Sequence, residues 1–490
     1  MIIANLTLCG TGETHRSSGR ATAISKLTDN VLLEIFDFYR SHSYTYPGIW
    51  KWHVLTHVCL RWRQIVFASP LRLHLRIRCT RKTPVKKSLG IWPAFPIVIE
   101  YGDSTSRITS PDEDDVIAAL EHPDRVCALG IHLTGWQLRW LSTTMQVLFP
   151  VLTRLSISSR DGEVPTLPDG FLGRSAPLLR VIDLSGIPFP ALPTLLLSTR
   201  DLVELKLHKI PAGGYISPSA MVVGLAALPK LQYLSIHFGS TNGRDLSENV
   251  RDLMRDHLYL LDPTVRTILP ALTSFFFYGM SEYLENFTAR ICAPRLNSIK
   301  IYYLNQLVDF QVSQVSRFID SSETLQQSLP MRCRVTLQPS CVSFDIGATG
   351  DKTERWEASP RIDVCIQCQG IDWQVSCITQ ALKQIPTVHS DVVHLTVDWS
   401  GPRCQLEDID DAEWLNFLRS FTSVQTLYVS GQLAGHIASS LEDTPRAEAA
   451  EVLPALNLLC LEDQPVSSVG KLVGVLRDTV TIVNTQRNFD

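Results

Sequence analysis

A recurring spacing of apolar residues constrains this chain more than any other feature of its sequence. Each unit has an apolar anchor, a second apolar residue three positions later and a third two positions after that. Anchors in the first part of the series are 26, 27, 23 and 29 residues apart, and those at the end are 32 and 32 apart. The triplets are Val126/Leu129/Ile131, Leu152/Leu155/Ile157, Leu179/Ile182/Leu184, Leu202/Leu205/Leu207, Leu231/Leu234/Ile236, Leu272/Phe275/Phe277, Leu296/Ile299/Ile301, Val392/Leu395/Val397, Val424/Leu427/Val429 and Leu456/Leu459/Leu461.

The last two positions of each triplet fall on one face of a short strand, because alternate strand residues share a face. A single unit cannot cover its own apolar face, so the units are expected to stack. A period in the twenties resembles a leucine-rich repeat, although repeat length is irregular and the Asn or Cys that follows the strand in that family is mostly missing. We therefore expect an α/β fold with a leucine-rich-repeat-like solenoid over 110–482, and an α/β sheet of unrelated topology is the alternative.

Three shorter patterns flank or interrupt this series. Apolar and basic residues alternate over 71–80, which predicts a half-buried strand with a basic outer face, and 92–101 predicts another strand. Ser110-Pro111 followed by acidic residues predicts a helix to about Glu121, with Ser110 as its cap. In the least regular stretch, 302–390, Cys341/Phe344/Ile346 and Ile362/Val364/Ile366 predict strands, separated by a surface loop over Gly347–Pro360.

Residues 25–70 show helical spacing instead. Apolar residues recur three and four apart from Val31 to Tyr39 and again from Val54 to Val66. Thr28 is the expected N-cap of the first helix, and Pro70 ends the last one. So few residues cannot bury much surface by themselves, so their exposed apolar face is expected to meet a partner.

The segment Leu27–Pro70 resembles the F-box. The family pairs a Leu-Pro opening and an apolar helix with a Val-Cys-x-x-Trp helix. This chain reads Leu27-Thr28, Val31-Leu32-Leu33-Glu34-Ile35-Phe36 and Val58-Cys59-Leu60-Arg61-Trp62. Thr28 stands where the family usually has Pro, and it can cap the helix instead. The stretch that continues to Tyr101 is similar to the one after the F-box in many mushroom-type fungal proteins.

This resemblance implies a small three-helix module that docks on a Skp-type adaptor, which links it to a cullin–RING ubiquitin ligase. The repeats would capture a protein substrate, making the chain a non-catalytic substrate-recognition subunit of an SCF-type ligase, cytoplasmic or nuclear. The alternative is a repeat scaffold with a vestigial F-box that acts independently of ubiquitin. The adaptor contacts that the resemblance implies are Leu27, Val31, Leu32, Ile35, Phe36, Val58 and Trp62. Some of these residues must instead hold the helical core.

The expected organisation is a disordered N-terminus (1–24), an F-box (25–70), a strand-containing connector (71–109), the repeats (110–482) and a tail (483–490). Net charge is −4, which provides no global field for nucleic acid, although the first 100 residues hold 14 Lys and Arg against 5 Asp and Glu. Apolar runs stay well short of the ~18–20 residues of a membrane span.

No group of residues points to catalysis, a cofactor or a metal. Cys365 and Cys368 form a C-x-x-C without a second pair, and that spacing on a strand puts the two thiols on opposite faces, so core or surface cysteines are expected. His132, His208 and His237 fall at strand ends and predict packing or solvent roles. Trp136 and Trp140, four apart on a helical segment, predict core positions. A basic face that includes Arg72, Arg76, Arg78, Arg81, Lys82, Lys86 and Lys87 is explained as protection of a strand edge.

Overall fold

A computed structural model describes residues 23–41, 51–70, 72–73, 75–83, 85–91, 94–101, 108–159, 161, 164–239, 266–304, 311–326, 331–348, 360–368, 371–385, 390–401, 411–442, 452–462 and 480–485. Most of the predicted disordered N-terminus and most of the predicted loop over Gly347–Pro360 lie outside these residues. The chain divides into two compact units. The helical unit comprises Met1–Ile77 with Leu89–Pro96, and the sheet unit comprises Arg78–Ser88 with Ile97–Asp490.

The helical unit has a 3-10 turn, Ala23–Lys26, and three helices, α1 (Asp29–Ser41), α2 (Lys51–Thr56) and α3 (Leu60–Ala68). Thr28 caps α1 as predicted, because its Oγ1 accepts a hydrogen bond from the Val31 N–H at 3.4 Å. The described helices bury a small apolar core, in which the fully buried ring of Phe36 lies 4.7 Å from the ring of Trp62. The other buried apolar side chains of these helices are Leu32, Leu33, Leu55, Ile65 and Val66.

The strand predicted over 71–80 is much shorter than expected. Only β1 (Ile77–Cys79) is a strand, and of the described residues before it Arg72 and Leu73 form a turn. The Leu73 N–H donates to Ser69 O at 3.1 Å and the Leu75 N–H to Pro70 O at 2.9 Å. Both leucines are buried. Alternate residues are buried here both before β1 and within it. The alternation of apolar and basic residues therefore predicted a strand in the first half of the segment, where none is found. A short helix, α4 (Val85–Ile91), and the predicted second strand, β2 (Ile97–Tyr101), follow.

The sheet unit is α/β, as expected. Its remaining strands are β3 (Val126–Leu133), β4 (Arg154–Ser159), β5 (Val181–Ser185), β6 (Glu204–Ile210), β7 (Tyr233–Phe238), β8 (Thr267–Ile268), β9 (Ser274–Gly279), β10 (Ile291–Cys292), β11 (Ser298–Tyr303), β12 (Met331–Gln338), β13 (Cys341–Ala348), β14 (Arg361–Gln367), β15 (Val392–Trp399), β16 (Thr426–Val429), β17 (Leu458–Glu462) and β18 (Thr481–Thr485). Its helices are α5 (Ser110–Leu120), α6 (Gly135–Thr144), α7 (Leu192–Leu196), α8 (Pro218–Leu225), α9 (Ser281–Thr288), α10 (Ser313–Asp320), α11 (Ile371–Gln384), α12 (Asp411–Leu418) and α13 (Gly431–Glu442), with 3-10 turns at Phe171–Arg174 and Ala212–Gly214.

The helix predicted from Ser110 is α5, and its cap is shifted by one residue. Thr109 is the N-cap, and its N–H donates to the Asp112 carboxylate at 2.9 Å, which closes a capping box. Ser110 and Pro111 are therefore the first two helical residues. The acidic residues that follow lie in the first turn, where the helix dipole favours negative charge.

Sixteen of the described strands form one mostly parallel sheet, in the order β1-β2-β3-β4-β5-β6-β7-β9-β11-β14-β13-β12-β15-β16-β17-β18. From β2 to β11, leaving out β8 and β10, each strand of this sheet pairs in parallel with the next one along the chain. The order then reverses over β12–β14, which pair antiparallel with one another before β15 continues the parallel series. The strands β8 and β10 form a separate parallel pair.

The apolar triplets of the sequence coincide with ten strands of this sheet, and every residue in them is buried. Their positions are also in register. Leu155 pairs with Leu129 on one side and Ile182 on the other, and the next apolar positions pair in the same way. The predicted strands at Cys341 and Ile362 are β13 and β14, whose buried residues continue the same rows. The core is thus a continuous ladder of aliphatic and aromatic side chains.

Candidate functional site

Helix α1 carries apolar residues on two faces. One face packs into the helical core. The other presents side chains at positions i, i+4, i+7 and i+8, which lie along one stripe of a helix. These are Val31, Ile35, Phe38 and Tyr39, which are 43%, 44%, 63% and 46% exposed. An amphipathic helix needs only one apolar face to pack against the core of its own chain, so packing of this core does not account for the second apolar face of α1.

Exposed apolar residues continue on the other two helices of the unit. Val54 of α2, Val58 between the helices and Leu60 at the start of α3 are each at least half exposed. Both helices contact α1. We call Val31, Ile35, Phe38, Tyr39, Val54, Val58 and Leu60 the apolar helical surface. Clusters of this kind are uncommon on soluble monomers and are typical of interaction sites.

Arg61 ties the start of α3 to the start of α1. One of its terminal nitrogens donates to Leu27 O at 2.5 Å and to Asp29 Oδ1 at 2.7 Å, and Nε donates to the same oxygen at 3.1 Å. The Asp29 pair is solvent-exposed and adds little stability. Its effect is geometric, because it fixes the residues next to Leu60 beside the first turn of α1.

The seven residues that the resemblance assigns to an adaptor contact have three different degrees of burial. Val31, Ile35 and Val58 belong to the apolar helical surface, and Leu27 and Trp62 are half-buried. Leu32 and Phe36 are buried in the helical core, where they can act only by supporting the surface. The sequence analysis missed Phe38 as a surface residue, although its position seven residues after Val31 continues the same stripe.

The cysteines of the C-x-x-C occupy buried positions, as expected. The thiol of Cys365 hydrogen-bonds with Cys341, and that of Cys368 hydrogen-bonds with Cys377. The hydrogen bond from Cys365 lowers the pKa of Cys341 to about 7. Within the described ranges, no three His, Cys, Asp or Glu residues are placed to hold a metal ion. The four thiols therefore form two hydrogen-bonded pairs inside the sheet unit, Cys341 with Cys365 and Cys368 with Cys377.

The three histidines lie on the sheet face opposite the aliphatic core. His132 Nδ1 is 3.0 Å from Ser158 Oγ, and the His237 ring lies 4.1 Å from the ring of Tyr278. Burial lowers the pKa of His237 to about 4, so it is neutral near pH 7. Of the two expected roles, packing or solvent, His237 has the packing role.

The prediction that both tryptophans of α6 are core residues is wrong for Trp136, which is 59% exposed, whereas Trp140 is half-buried. Leu138 and Leu141 face the core instead. Trp136 precedes Leu138 by two positions, about 200° around the helix, and so points the other way.

Several of the basic residues that follow the helices pair with acidic residues. In the sheet unit, Arg78 pairs with Glu100 at 3.5 Å and Arg81 with Asp112 at 3.8 Å. In the helical unit, Arg72 pairs with Glu34. These charges are balanced within each unit, which leaves less net positive potential than the sequence alone indicates.

No model of a known protein family matches the chain, and no curated protein matches it either. Among the described residues, no helix is long and apolar enough to cross a membrane.

Proposed function

We propose that this chain is the substrate-recognition subunit of an SCF-type cullin–RING ubiquitin ligase. In this proposal the helical unit is an F-box that binds a Skp-type adaptor, and the sheet unit is a leucine-rich-repeat-like solenoid that binds a protein substrate. The observation that carries the proposal is the second apolar face of α1, where Val31, Ile35, Phe38 and Tyr39 are exposed.

The composition of the apolar helical surface supports a protein partner. Aliphatic and aromatic side chains predominate in it, as in the desolvated centre of a protein interface. The F-box resemblance of Leu27–Pro70 adds the identity of the partner, because Val31, Ile35 and Val58 stand at positions that the family uses for its adaptor. Leu32, Phe36 and Trp62 would then hold the helices in the geometry that the adaptor recognises.

The sheet unit supports the repeat part of the proposal. Parallel strands in sequence order, with apolar residues in register from one strand to the next, are what stacked repeats produce. The antiparallel strands β12–β14 depart from that regularity and fit an irregular member of the class. The polar and aromatic face opposite the core is then available for recognition.

The proposed mechanism needs no bond chemistry in this chain. A substrate held on the sheet unit and an adaptor held on the helical unit bring the substrate to a ubiquitin-conjugating enzyme at high effective concentration. Specificity arises from substrate binding alone.

The test is binding of the full chain to a purified Skp-type adaptor. Ile35→Asp places a charge in the centre of the surface that the adaptor would bury, and an unpaired charge there costs about 3 kcal/mol or more, about a hundredfold in Kd. Val223→Asp is the matched control, because Val223 is a 60% exposed apolar residue on α8 of the sheet unit. Circular dichroism of both variants establishes that they remain folded.

We expect adaptor binding by the wild-type chain and by Val223→Asp, and its loss in Ile35→Asp. A folded wild-type chain that does not bind the adaptor would contradict the proposal and favour the scaffold with a vestigial F-box. Equal binding by Ile35→Asp would show that another surface is used.

A further inference from the structure

A cavity of about 870 Å³ lies on the sheet face opposite the aliphatic core, over the strands β12 and β15–β17. It spans about three strand spacings, roughly 14 Å, which is the length of about four residues of extended peptide. Most of its lining comes from alternate positions of these strands, among them Arg332, Arg334, His394, Thr396 and Tyr428, and Trp399 lies at the end of β15.

The positive charge in the cavity is concentrated at one corner. Arg332 lies directly opposite His394 in the parallel pairing of β12 with β15, and Arg334 lies opposite Thr396. Arg334 is partly compensated, because its Nε is 3.6 Å from the Asp398 carboxylate. Arg332 is exposed, and within the described part of the chain its side chain forms no ion pair. One guanidinium therefore remains uncompensated at this corner.

The acidic residues of the cavity lie at its other end. Asp398 and Glu462 are near the C-terminal ends of β15 and β17, whereas Arg332 is near the N-terminal end of β12. Asp398 is opposite Thr336, four residues beyond Arg332, or about 13 Å along the strand. This separation gives the cavity a polarity, with attraction for an anionic group at the Arg332 end.

The end of the cavity at Trp399 is held in place. The backbone N–H of Trp399 donates to Ser430 Oγ at 3.1 Å. The Trp399 ring, on a residue that pairs with buried Leu337, packs closely on Gly401, where a β-carbon would lie 2.6 Å from Cζ2. A preformed end costs little ordering entropy when a ligand binds. Tyr428 also lines the cavity, on β16, and lies opposite Thr396 in the strand pairing.

We infer that this cavity binds an extended peptide through an acidic side chain, with the carboxylate on Arg332. A planar guanidinium binds a carboxylate through two parallel hydrogen bonds, and the single uncompensated charge of Arg332 matches a single negative charge. A phosphoryl dianion would need a second uncompensated cation, and Asp398 already engages Arg334. The inference rests on the proposed function, since it names the chemistry of the substrate that the sheet unit would capture.

The experiment measures retention of the full chain, without adaptor, on degenerate peptide libraries about eight residues long. Each library has one residue fixed at its centre: glutamate, glutamine, lysine or phosphothreonine. We expect about tenfold stronger retention on the glutamate library than on the glutamine library, the effect of one charge-assisted contact. Arg332→Gln should remove this preference, and Arg332→Glu should transfer it to the lysine library.

The matched control is Arg154→Gln. Arg154 is an exposed arginine on β4 that occupies the same row of the strand register as Arg332, outside the cavity. It should keep the preference for glutamate. Equal retention on the glutamate and glutamine libraries, stronger retention on phosphothreonine, or an unchanged preference in Arg332→Gln would each overturn the inference. Because adaptor is absent, failure here leaves the adaptor-binding result unaffected, and failure of adaptor binding leaves this result unaffected.

Discussion

Gly186 provides a quantitative test of how tightly neighbouring strand ends of the sheet pack. It follows β5 with φ of +69°, in the left-handed region, and its N–H donates to His208 O at 2.8 Å. A β-carbon at this position would overlap the carbonyl oxygen of Ser159, at the end of β4, and lie 3.4 Å from the carbonyl carbon. The overlap is with backbone, so it cannot be relieved by a side-chain rotation.

The expected cost of Gly186→Ala has two parts. A non-glycine residue held at positive φ costs about 1–3 kcal/mol. Overpacking against a fixed group adds about 1–3 kcal/mol, so the two parts together cost about 2–6 kcal/mol. The strain is relieved when β4–β6 open locally. Hydrogen exchange of their amides should therefore accelerate by at least about 30-fold and by up to about 20,000-fold.

Gly213→Ala is the matched control, because it is the same change on the same unit. Its φ is outside the left-handed region, and a β-carbon there meets no atom within 4 Å among the described residues. Removing a glycine from such a position is neutral or stabilises by up to about 1 kcal/mol. Hydrogen exchange measured by mass spectrometry distinguishes the two variants. Equal exchange rates in the β4–β6 peptides would refute the reasoning.

Two further outcomes follow from burial. Phe36→Ala should destabilise the helical unit by about 3–5 kcal/mol, because the ring of Phe36 is fully buried against Trp62. Phe38→Ala, at a 63% exposed position, should cost less than about 1 kcal/mol. Limited proteolysis of the helical unit measures the difference, and equal susceptibility of the two variants would contradict it. Burial lowers the pKa of His237 from 6.5 to about 4, so the unfolded chain takes up a proton between these values that the folded chain does not. The stability contributed by neutral His237 should therefore be complete above pH 6.5 and decline as the pH falls to about 4, and thermal unfolding of His237→Phe should depend less on pH over this range; identical profiles would rule out His237 as the source.

The sequence alone predicted the rows of buried apolar residues in the sheet, because the spacing of the apolar triplets has one physical cause. The second residue of a triplet, such as Leu155, must be buried in a strand and must also meet Leu129 and Ile182 in the neighbouring strands. Burial and register thus impose the same pattern in every repeat. Such a pattern can be recognised even where the repeat length varies.

The pattern did not reveal β12, because Met331–Gln338 alternates apolar and polar residues without the preceding anchor. Nothing local in an alternating segment indicates whether its partner will be parallel or antiparallel. The reversal of strand order over β12–β14 depends on contacts between distant residues, so it could only be observed in the structure.

The candidate site shows a different limit of sequence reasoning. Helical spacing grouped Val31, Leu32, Ile35 and Phe36 together, because all are apolar and three or four apart. Only the packed structure separates Leu32 and Phe36, which are buried, from Val31 and Ile35, which are about 44% exposed. A helix with apolar residues on two faces gives no local indication of which face its own chain will cover.

The reversed order of β12–β14 has a consequence for synthesis on the ribosome. In the large sheet, each strand from β3 to β11 pairs with a strand that has already been made, so this part can assemble as it emerges. The edge of β11 must then wait until the nascent chain has been extended through β14, and β12 stays open on one side until β15 follows. During this interval the edge of β11 and the outer edge of β12 are unpaired at the same time, and unpaired edges of this kind can pair with other chains.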